Sequence, residues 1–394
     1  MLIFKGGNIL KENKFFGIPF IAVIVLLFVF VSTQIPAAHQ AVKNLPIALI
    51  NEDTGEIGGT LLQNVQENSK AIQTSDEPMI KWVILESQKE MEKEMDDQNL
   101  YGAIVIPSDF SEKFSSLQTP SPTMAELQIF INQGKNVNVA NVITQNLSAM
   151  VTQINQMMSN QLLTAMETNN VPLSVEQARI LTAPISSTIT MLHPTGSLGN
   201  APLSLFQPLW IASIVSAVML FFAGKNRTFE TMVSQLKFKS IQVLVAILLG
   251  FLAGFSLTWY TTVILDFEFE SFTTVALFLS ITCMSFILLI SAVLSWIGMG
   301  GVILFVLLMF FGLPLLQLAP EMLPVFYKDW IYPWLPMRFM FDGVREILFF
   351  DGGVWNGATI VLMWTAFVSL IVHLAKSFVP TKNITSEEVS ENLN

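Results

Sequence analysis

A run of fifty residues without a charge, from Ser271 to Pro320, is the feature that most constrains this chain. As one straight helix it would be about 75 Å long, whereas the hydrocarbon core of a bilayer is roughly 30 Å thick. The run must therefore fold back on itself. The sequence "WIGMGG" at Trp296–Gly301 predicts the break, because clustered glycines make a poor helix interior.

The rest of the chain fits an integral membrane protein. Only 13% of its residues are charged and 52% are hydrophobic, whereas an ordinary soluble domain has about 25% charged residues. Hydropathy predicts a bundle of six transmembrane helices. The predicted spans are residues 15–33, 203–224, 241–265, 272–297, 302–318 and 354–374. The first could instead be a signal peptide, because "IPAAH" follows its apolar stretch.

Basic residues near the spans predict the orientation. They precede the first span, fill the connection between the second and third spans, and follow the last. The connection "DFEFES" after the third span has three acids and no base. These patterns place both termini in the cytoplasm. The predicted cytoplasmic segments are 1–14, 225–240 and 376–394, and the predicted outside segments are 34–202 and 320–353.

The outside segment 34–202 reads as an inserted α/β domain. Apolar runs such as "LPIALI" and "GAIVI" predict strands, and helical segments alternate with them. This order favours a small, mainly parallel sheet, with a mixed sheet as the alternative. Ser87 and Glu90 predict a capping box, and Ser108 predicts a second helix cap.

A long amphipathic helix is predicted from Asn136 to about Thr168. Its apolar face could pack along its own sheet or against a partner subunit. The stretch "LTAPISSTITMLHPTGSLGNAPLS" that follows is rich in turn residues and leads back to the membrane.

The sequence lacks the motifs of several common binding and catalytic sites. The domain 34–202 has 17 acids and 8 Lys or Arg residues, which disfavours nucleic acid as a partner. No segment matches a P-loop, an HExxH zinc motif or a serine nucleophile elbow. The lone Cys283 and three scattered histidines predict no metal site. We therefore expect no enzyme activity and no cofactor in this chain.

Two segments give the chain a family resemblance. "LPIALINEDTG" and "YGAIVIPSDFSEKF", placed behind the first span, resemble the outer domains of ABC-2 type transporter permeases. The YhgE/Pip-like branch, the relatives of phage infection protein, is the most similar. The resemblance implies a dimeric exporter subunit for a drug, an antimicrobial peptide, a lipid or another amphipathic substrate. It implies that a separate ABC ATPase binds the ATP and Mg²⁺, and that a second permease copy completes the dimer.

The resemblance also implies where the ATPase docks. Residues 5–16 would form an interfacial helix, and the connection 225–240 would be a coupling loop. The candidate coupling residues are Lys5, Lys11, Lys14, Lys225, Arg227, Glu230, Lys237 and Lys239. Alternatively, these lysines only set the topology and meet anionic membrane lipids.

The outside segment 320–353 is predicted to re-enter the outer leaflet. Trp330 and Trp334 have rings suited to the headgroup level. Arg338, Asp342, Arg345 and Glu346 are helical neighbours, so they form either a gate for an amphipathic substrate or a structural ion-pair set.

The resemblance also leaves a second function open. It implies, as the alternative, a membrane-anchored surface or scaffold protein that acts through its outer domain, in phage adsorption or in secretion-system assembly.

Overall fold

The computed structural model describes residues 42–71, 78–119, 121–168, 174–225 and 227–379, with scattered helical positions between 24 and 35. It divides into two compact units. The sheet unit comprises the chain up to Gly196 together with Phe310–Trp334, and the bundle unit comprises Ser197–Met309 and the chain from Leu335 onward. The predicted segment 1–14, most of the predicted span 15–33 and the tail 380–394 lie outside the described residues.

Between Leu45 and Leu192, the described residues of the sheet unit form five strands and five helices. In chain order they are β1 (Leu45–Asn51), α1 (Glu56–Ala71), β2 (Ile80–Leu85), α2 (Gln88–Asp96), β3 (Gly102–Ile106), α3 (Phe110–Ser116), β4 (Ala125–Asn132), α4 (Val137–Thr168), α5 (Val175–Leu181) and β5 (Ile185–Leu192).

The five strands form one mixed sheet in the order β2-β1-β3-β4-β5. β1 pairs in parallel with β2 and β3, β3 pairs antiparallel with β4, and β4 pairs in parallel with β5. Strands β1 and β3 are buried almost throughout, which agrees with their unbroken apolar sequences. The predicted α/β domain is confirmed, with one antiparallel pairing inside a mainly parallel sheet.

Three details of the predicted domain differ in the structure. Strand β5 lies in the stretch that was predicted as turn-rich, and the reason is that most of its side chains are exposed at the sheet edge. The helix α3 begins after Asp109, and Ser108 does not cap it. Ser87 does cap α2, but the Glu90 carboxylate accepts from the Glu86 N–H in place of the Ser87 N–H.

The ends of β1 and β3 are joined by a buried carboxylate. Asp53 accepts hydrogen bonds from the backbone N–H of Ser111, at 3.3 Å, and from its hydroxyl. The Ser111 Oγ also accepts from the Gly58 N–H at 3.2 Å. A Cβ at Gly58 would lie 2.3 Å from the Asp53 carboxylate, so only glycine allows this approach. The two segments that gave the family resemblance therefore contact each other here.

The long helix α4 packs on its own domain. Its apolar side chains are buried along the whole length, from Val139 to Met166. Asn155 exchanges two hydrogen bonds of 2.8 Å with the backbone of Ile185, and the Ser159 hydroxyl donates to the Leu181 carbonyl. Of the two alternatives from the sequence, packing along its own sheet is the one observed.

The bundle unit is built from long apolar helices. They are α6 (Ala201–Lys225), α7 (Met232–Ile264), α8 (Phe272–Ile297), α9 (Gly301–Gln317, which begins in this unit), α10 (Pro336–Phe349) and α11 (Gly357–Ala375). Helix α8 is the centre: α6, α7, α10 and α11 all contact it. Most of its side chains are buried, whereas α6, α7 and α11 present large apolar side chains outward.

Four helical segments of the described chain are long and apolar enough to cross a membrane. They are Ala201–Lys225, Met232–Ile264, Phe272–Gln317 and Gly357–Phe378. The prediction of six spans is therefore not supported. The predicted first span lies largely outside the described residues, and the predicted fourth and fifth spans count as one continuous apolar segment. Within that segment a short turn at Gly298–Gly300 separates α8 from α9, and Gly298 has a φ of +76°.

The connection between α6 and α7 is shorter than predicted. Helix α7 begins at Met232, capped by Thr231, so most of the predicted coupling loop 225–240 is helical. Polar and basic residues in its first two turns made this part look like a loop in the sequence.

Two glycines allow α7 to approach α8 closely. A Cβ at Gly254 would lie 2.3 Å from the Ser280 Oγ and 2.5 Å from the Ser280 backbone nitrogen. A Cβ at Gly250 would lie 2.9 Å from the Ser280 carbonyl oxygen. Small residues spaced four apart are a common contact between membrane helices, because close packing replaces the hydrophobic driving force that lipid does not supply.

We expect Ser111→Ala to destabilise the sheet unit. The change removes a donor to the buried Asp53 carboxylate, so the free energy of unfolding should fall by about 1–3 kcal/mol. The measurement is thermal unfolding of the full-length protein in detergent. The control is Ser115→Ala, an exposed position on the same helix, which should change stability by less than about 0.5 kcal/mol. Equal effects of the two variants would contradict the role of Asp53.

We expect Gly254→Ala to loosen the bundle, because the new methyl group overlaps the backbone of α8. Overpacking of this kind typically costs about 1–3 kcal/mol. The fraction that stays monodisperse after heating in detergent should fall. The matched control is Gly353→Ala, where a Cβ meets no atom within 4 Å. A Gly254→Ala protein as heat-resistant as the control would show that the contact is not close.

Candidate functional site

One end of the bundle unit gathers most of its basic residues. Helix α6 ends there, α7 begins there, and both α8 and α11 end there, the last followed by a short turn at Lys376–Phe378. These ends enclose a cavity of about 320 Å³. Four cationic side chains line it: Lys225, Arg227, Lys239 and Lys376. We call this the basic cavity.

The floor of the basic cavity is a buried polar network. The ring nitrogens of His373 lie 3.2 Å from the Ser291 carbonyl oxygen and 3.3 Å from the Gln242 Oε1. The Gln242 side-chain amide donates to the Leu220 carbonyl at 2.6 Å. The network thus links α6, α7, α8 and α11. His373, Gln242 and Ser291 are each more than nine-tenths buried.

Aromatic rings hold three of the four cations in place. The Arg227 guanidinium lies 4.8 Å from the centre of the Phe238 ring, and the Lys376 ammonium lies 4.9 Å from that of Trp296. The Lys225 ammonium lies over the Phe222 ring at 5.4 Å. Such contacts attract a cation electrostatically to the face of an aromatic ring.

The structure separates the predicted coupling residues into two groups. Lys225, Arg227, Glu230 and Lys237 are exposed, whereas Lys239 is buried in the cavity. Lys5, Lys11 and Lys14 lie outside the described residues.

The other end of the bundle unit is acidic. Helix α7 is about 50 Å long, and the connection beyond its far end contains Glu268 and Glu270. With Asp351 they line a cavity of about 440 Å³. Within the described part of the chain, no group of three His, Cys, Asp or Glu residues could hold a metal ion.

The predicted ion-pair set on α10 forms in part. The Arg338 Nε lies 3.0 Å from one Asp342 carboxylate oxygen, and the Arg345 guanidinium lies 3.7 Å from the other. The Glu346 carbonyl accepts from the N–H groups of Phe350 and Gly352, which ends the helix. In the sheet unit, Trp330 and Trp334 are 71% and 57% exposed.

Sequence reasoning missed the polar floor of the basic cavity. His373 counted only as one of three scattered histidines, and Gln242 and Ser291 lie 131 and 82 residues away from it along the chain. The one available signal was a histidine in the last turn of the final span, three residues before Lys376.

Comparisons with curated proteins and with solved structures give two results. No curated protein matches this chain. A crystallised domain of a candidate ABC type-2 transporter from Thermotoga maritima MSB8 is similar, at 18% identity over 39% of this chain and 87% of that one. Its TM-score is 0.25, too low for the likeness to support an argument.

The protein family is shown by a match to a family sequence model that spans most of the chain. The match covers residues 18–370 and therefore includes both units. It does not confirm the YhgE/Pip-like branch. The chain belongs to the family described as "Protein of unknown function (DUF3533)".

Proposed function

We propose that this chain is the permease subunit of an ATP-driven exporter of the ABC-2 type, energised by a separate ATPase subunit. The sequence segments around Asp53 and Ser111 support the assignment by their resemblance to such permeases. The sequence has no P-loop, so ATP hydrolysis would take place on the partner.

The observation that best supports this proposal is the separation of charge along the bundle. Basic residues gather at one end and acidic residues at the other, with apolar helices between them. Basic residues next to spans remain on the cytoplasmic side. We therefore assign the basic end and both termini to the cytoplasm of a bacterial cell, and the sheet unit to the outside. Six spans, including residues 15–33, would complete this topology.

The exposed cations at the basic end are the proposed docking surface for the ATPase. Lys225 ends α6, Arg227 and Glu230 lie in the short connection, and Lys237 lies near the start of α7; all four are exposed. A cytoplasmic ATPase can reach these groups without entering the membrane. Lys5, Lys11 and Lys14 would join the same surface if the first span is retained.

The acidic end is the proposed exit side. Within the sheet unit, the exposed rings of Trp330 and Trp334 suit the headgroup level of the outer leaflet, as expected for the segment 320–353. Asp342 binds two arginines of its own helix, and this arrangement favours a structural role that shapes α10 over a mobile gate. The substrate would be amphipathic, such as a drug, an antimicrobial peptide or a lipid, and a second permease copy would complete the pathway.

We expect a P-loop ATPase to co-purify with the tagged full-length protein from its native membrane, at about one copy per permease. The measurement is affinity purification in mild detergent with quantitative mass spectrometry. The double charge reversal Arg227→Glu, Lys237→Glu should reduce the captured ATPase about tenfold or more, because acids then replace two cations of the proposed docking surface.

The control for this experiment is the charge reversal Lys81→Glu, at an exposed position on β2. It should leave the amount of captured ATPase unchanged. Reproducible absence of any ATPase from intact protein would contradict the exporter proposal. That outcome would favour a membrane-anchored surface or scaffold protein that acts through its sheet unit.

A further inference from the structure

The basic cavity contains a lysine in an unusual position. Lys239 is only 8% exposed, although Lys237, two residues earlier on the same helix, is exposed. Lysines near a membrane surface usually bury their methylene chain and keep the ammonium in water. The ion pairs formed among the described residues do not include Lys239. Burial of an ammonium group is unfavourable unless an anion or several acceptors compensate it.

The surroundings of Lys239 make the burial of its ammonium group still more unfavourable. Lys376 repels it electrostatically, and Lys225 and Arg227 line the same cavity. Among the described residues that line the cavity there is no Asp or Glu, and the nearby Glu230 is exposed outside it. Like charges around one partly dry space repel each other. A bound anion would attract these cations and so offset their mutual repulsion.

A neutral donor in the same cavity lacks a partner. The Ser291 side chain is 7% exposed and lines the cavity, and its Oγ has no hydrogen-bond partner within the described structure. Buried hydroxyl groups are nearly always hydrogen-bonded. A phosphate oxygen could accept from this hydroxyl and from the neighbouring ammonium groups together.

The walls of the cavity indicate which phosphate compound fits. Phe221, Phe229 and Phe238 line it beside the cations. On the adjoining outer surface of α6, Met219 and Phe222 are 67% and 49% exposed. A lipid could place its phosphate among the cations and its acyl chains along this apolar surface, whereas free phosphate would use only the charged part. Basic pockets between the cytoplasmic ends of membrane helices are suited to anionic lipid headgroups.

We propose that the basic cavity binds the headgroup phosphate of an anionic phospholipid. Lys239 and Lys376 pair with the phosphate oxygens, and the Ser291 hydroxyl donates to them. The phosphate contacts, Lys239, Lys376 and Ser291, are not among the exposed cations Lys225, Arg227 and Lys237 proposed to dock the ATPase, although Lys225 and Arg227 also line the cavity. The lipid proposal does not depend on the exporter proposal.

The test measures lipid binding to the full-length protein by native mass spectrometry in detergent. The protein is titrated with phosphatidylglycerol, with zwitterionic phosphatidylcholine and with inorganic phosphate. The variants are Lys239→Gln and Lys376→Gln, and the matched control is Lys237→Gln on the exposed face of the same helix. Each variant is first checked for a single monodisperse species.

We expect phosphatidylglycerol to bind in preference to phosphatidylcholine. Lys239→Gln and Lys376→Gln should each weaken this binding about tenfold or more, because a charged hydrogen bond to the phosphate is lost. Lys237→Gln should change it less than about threefold, as for an exposed charge. If Lys239→Gln is not monodisperse, the half-buried Lys376 provides the deciding comparison with Lys237.

Three results would overturn the proposal. The first is equal binding of phosphatidylglycerol by the wild-type protein and the variants. The second is equal binding of the anionic and the zwitterionic lipid. The third is displacement of phosphatidylglycerol by inorganic phosphate at millimolar concentration, which would show a site for a free oxyanion instead of a lipid.

Discussion

The exclusion of charge from the hydrocarbon layer is the constraint on which the bundle unit depends. Helix α8 has no charged residue, and two acids, Glu268 and Glu270, precede it within a few residues. At the opposite end of the bundle unit, cationic side chains from α6, α7 and the turn after α11 lie around one cavity. Because charged groups are costly inside the membrane, the apolar lengths of the helices fix where charge can lie. The acidic and the basic cavity described above both follow from that partition.

Close packing then replaces the hydrophobic effect inside the bundle. Gly250 and Gly254 bring α7 within contact of the α8 backbone, and Trp210 of α6 fills the space beside Phe286 while its indole N–H donates to the Phe305 carbonyl. These contacts hold the helix ends in register. Register matters for function because the basic cavity is assembled from four separate helix ends, and a shift of one turn would move Lys239 about 5 Å.

The elements that the sequence predicts correctly are those marked by a pattern within a short stretch of the chain. The buried strands β1 and β3 follow from unbroken apolar runs, and the break before α9 follows from clustered glycines. Strand β5 could not be predicted in the same way, because an exposed edge strand needs no apolar pattern. The start of α7 was missed because basic residues at a membrane boundary resemble a loop. The network around His373 depends on tertiary contacts alone, and no spacing in the sequence points to it.

The orientation of the charge-separated bundle is the central claim, and cysteine labelling tests it most directly. Cys283 is buried and can be replaced by alanine to give a cysteine-free background. Single cysteines are then introduced as Lys237→Cys at the basic end and Glu268→Cys at the acidic end, both exposed positions. With a membrane-impermeant maleimide on spheroplasts, the account predicts labelling at position 268 before permeabilisation and at position 237 only afterwards. Labelling of position 237 on intact spheroplasts, with position 268 protected, would contradict it.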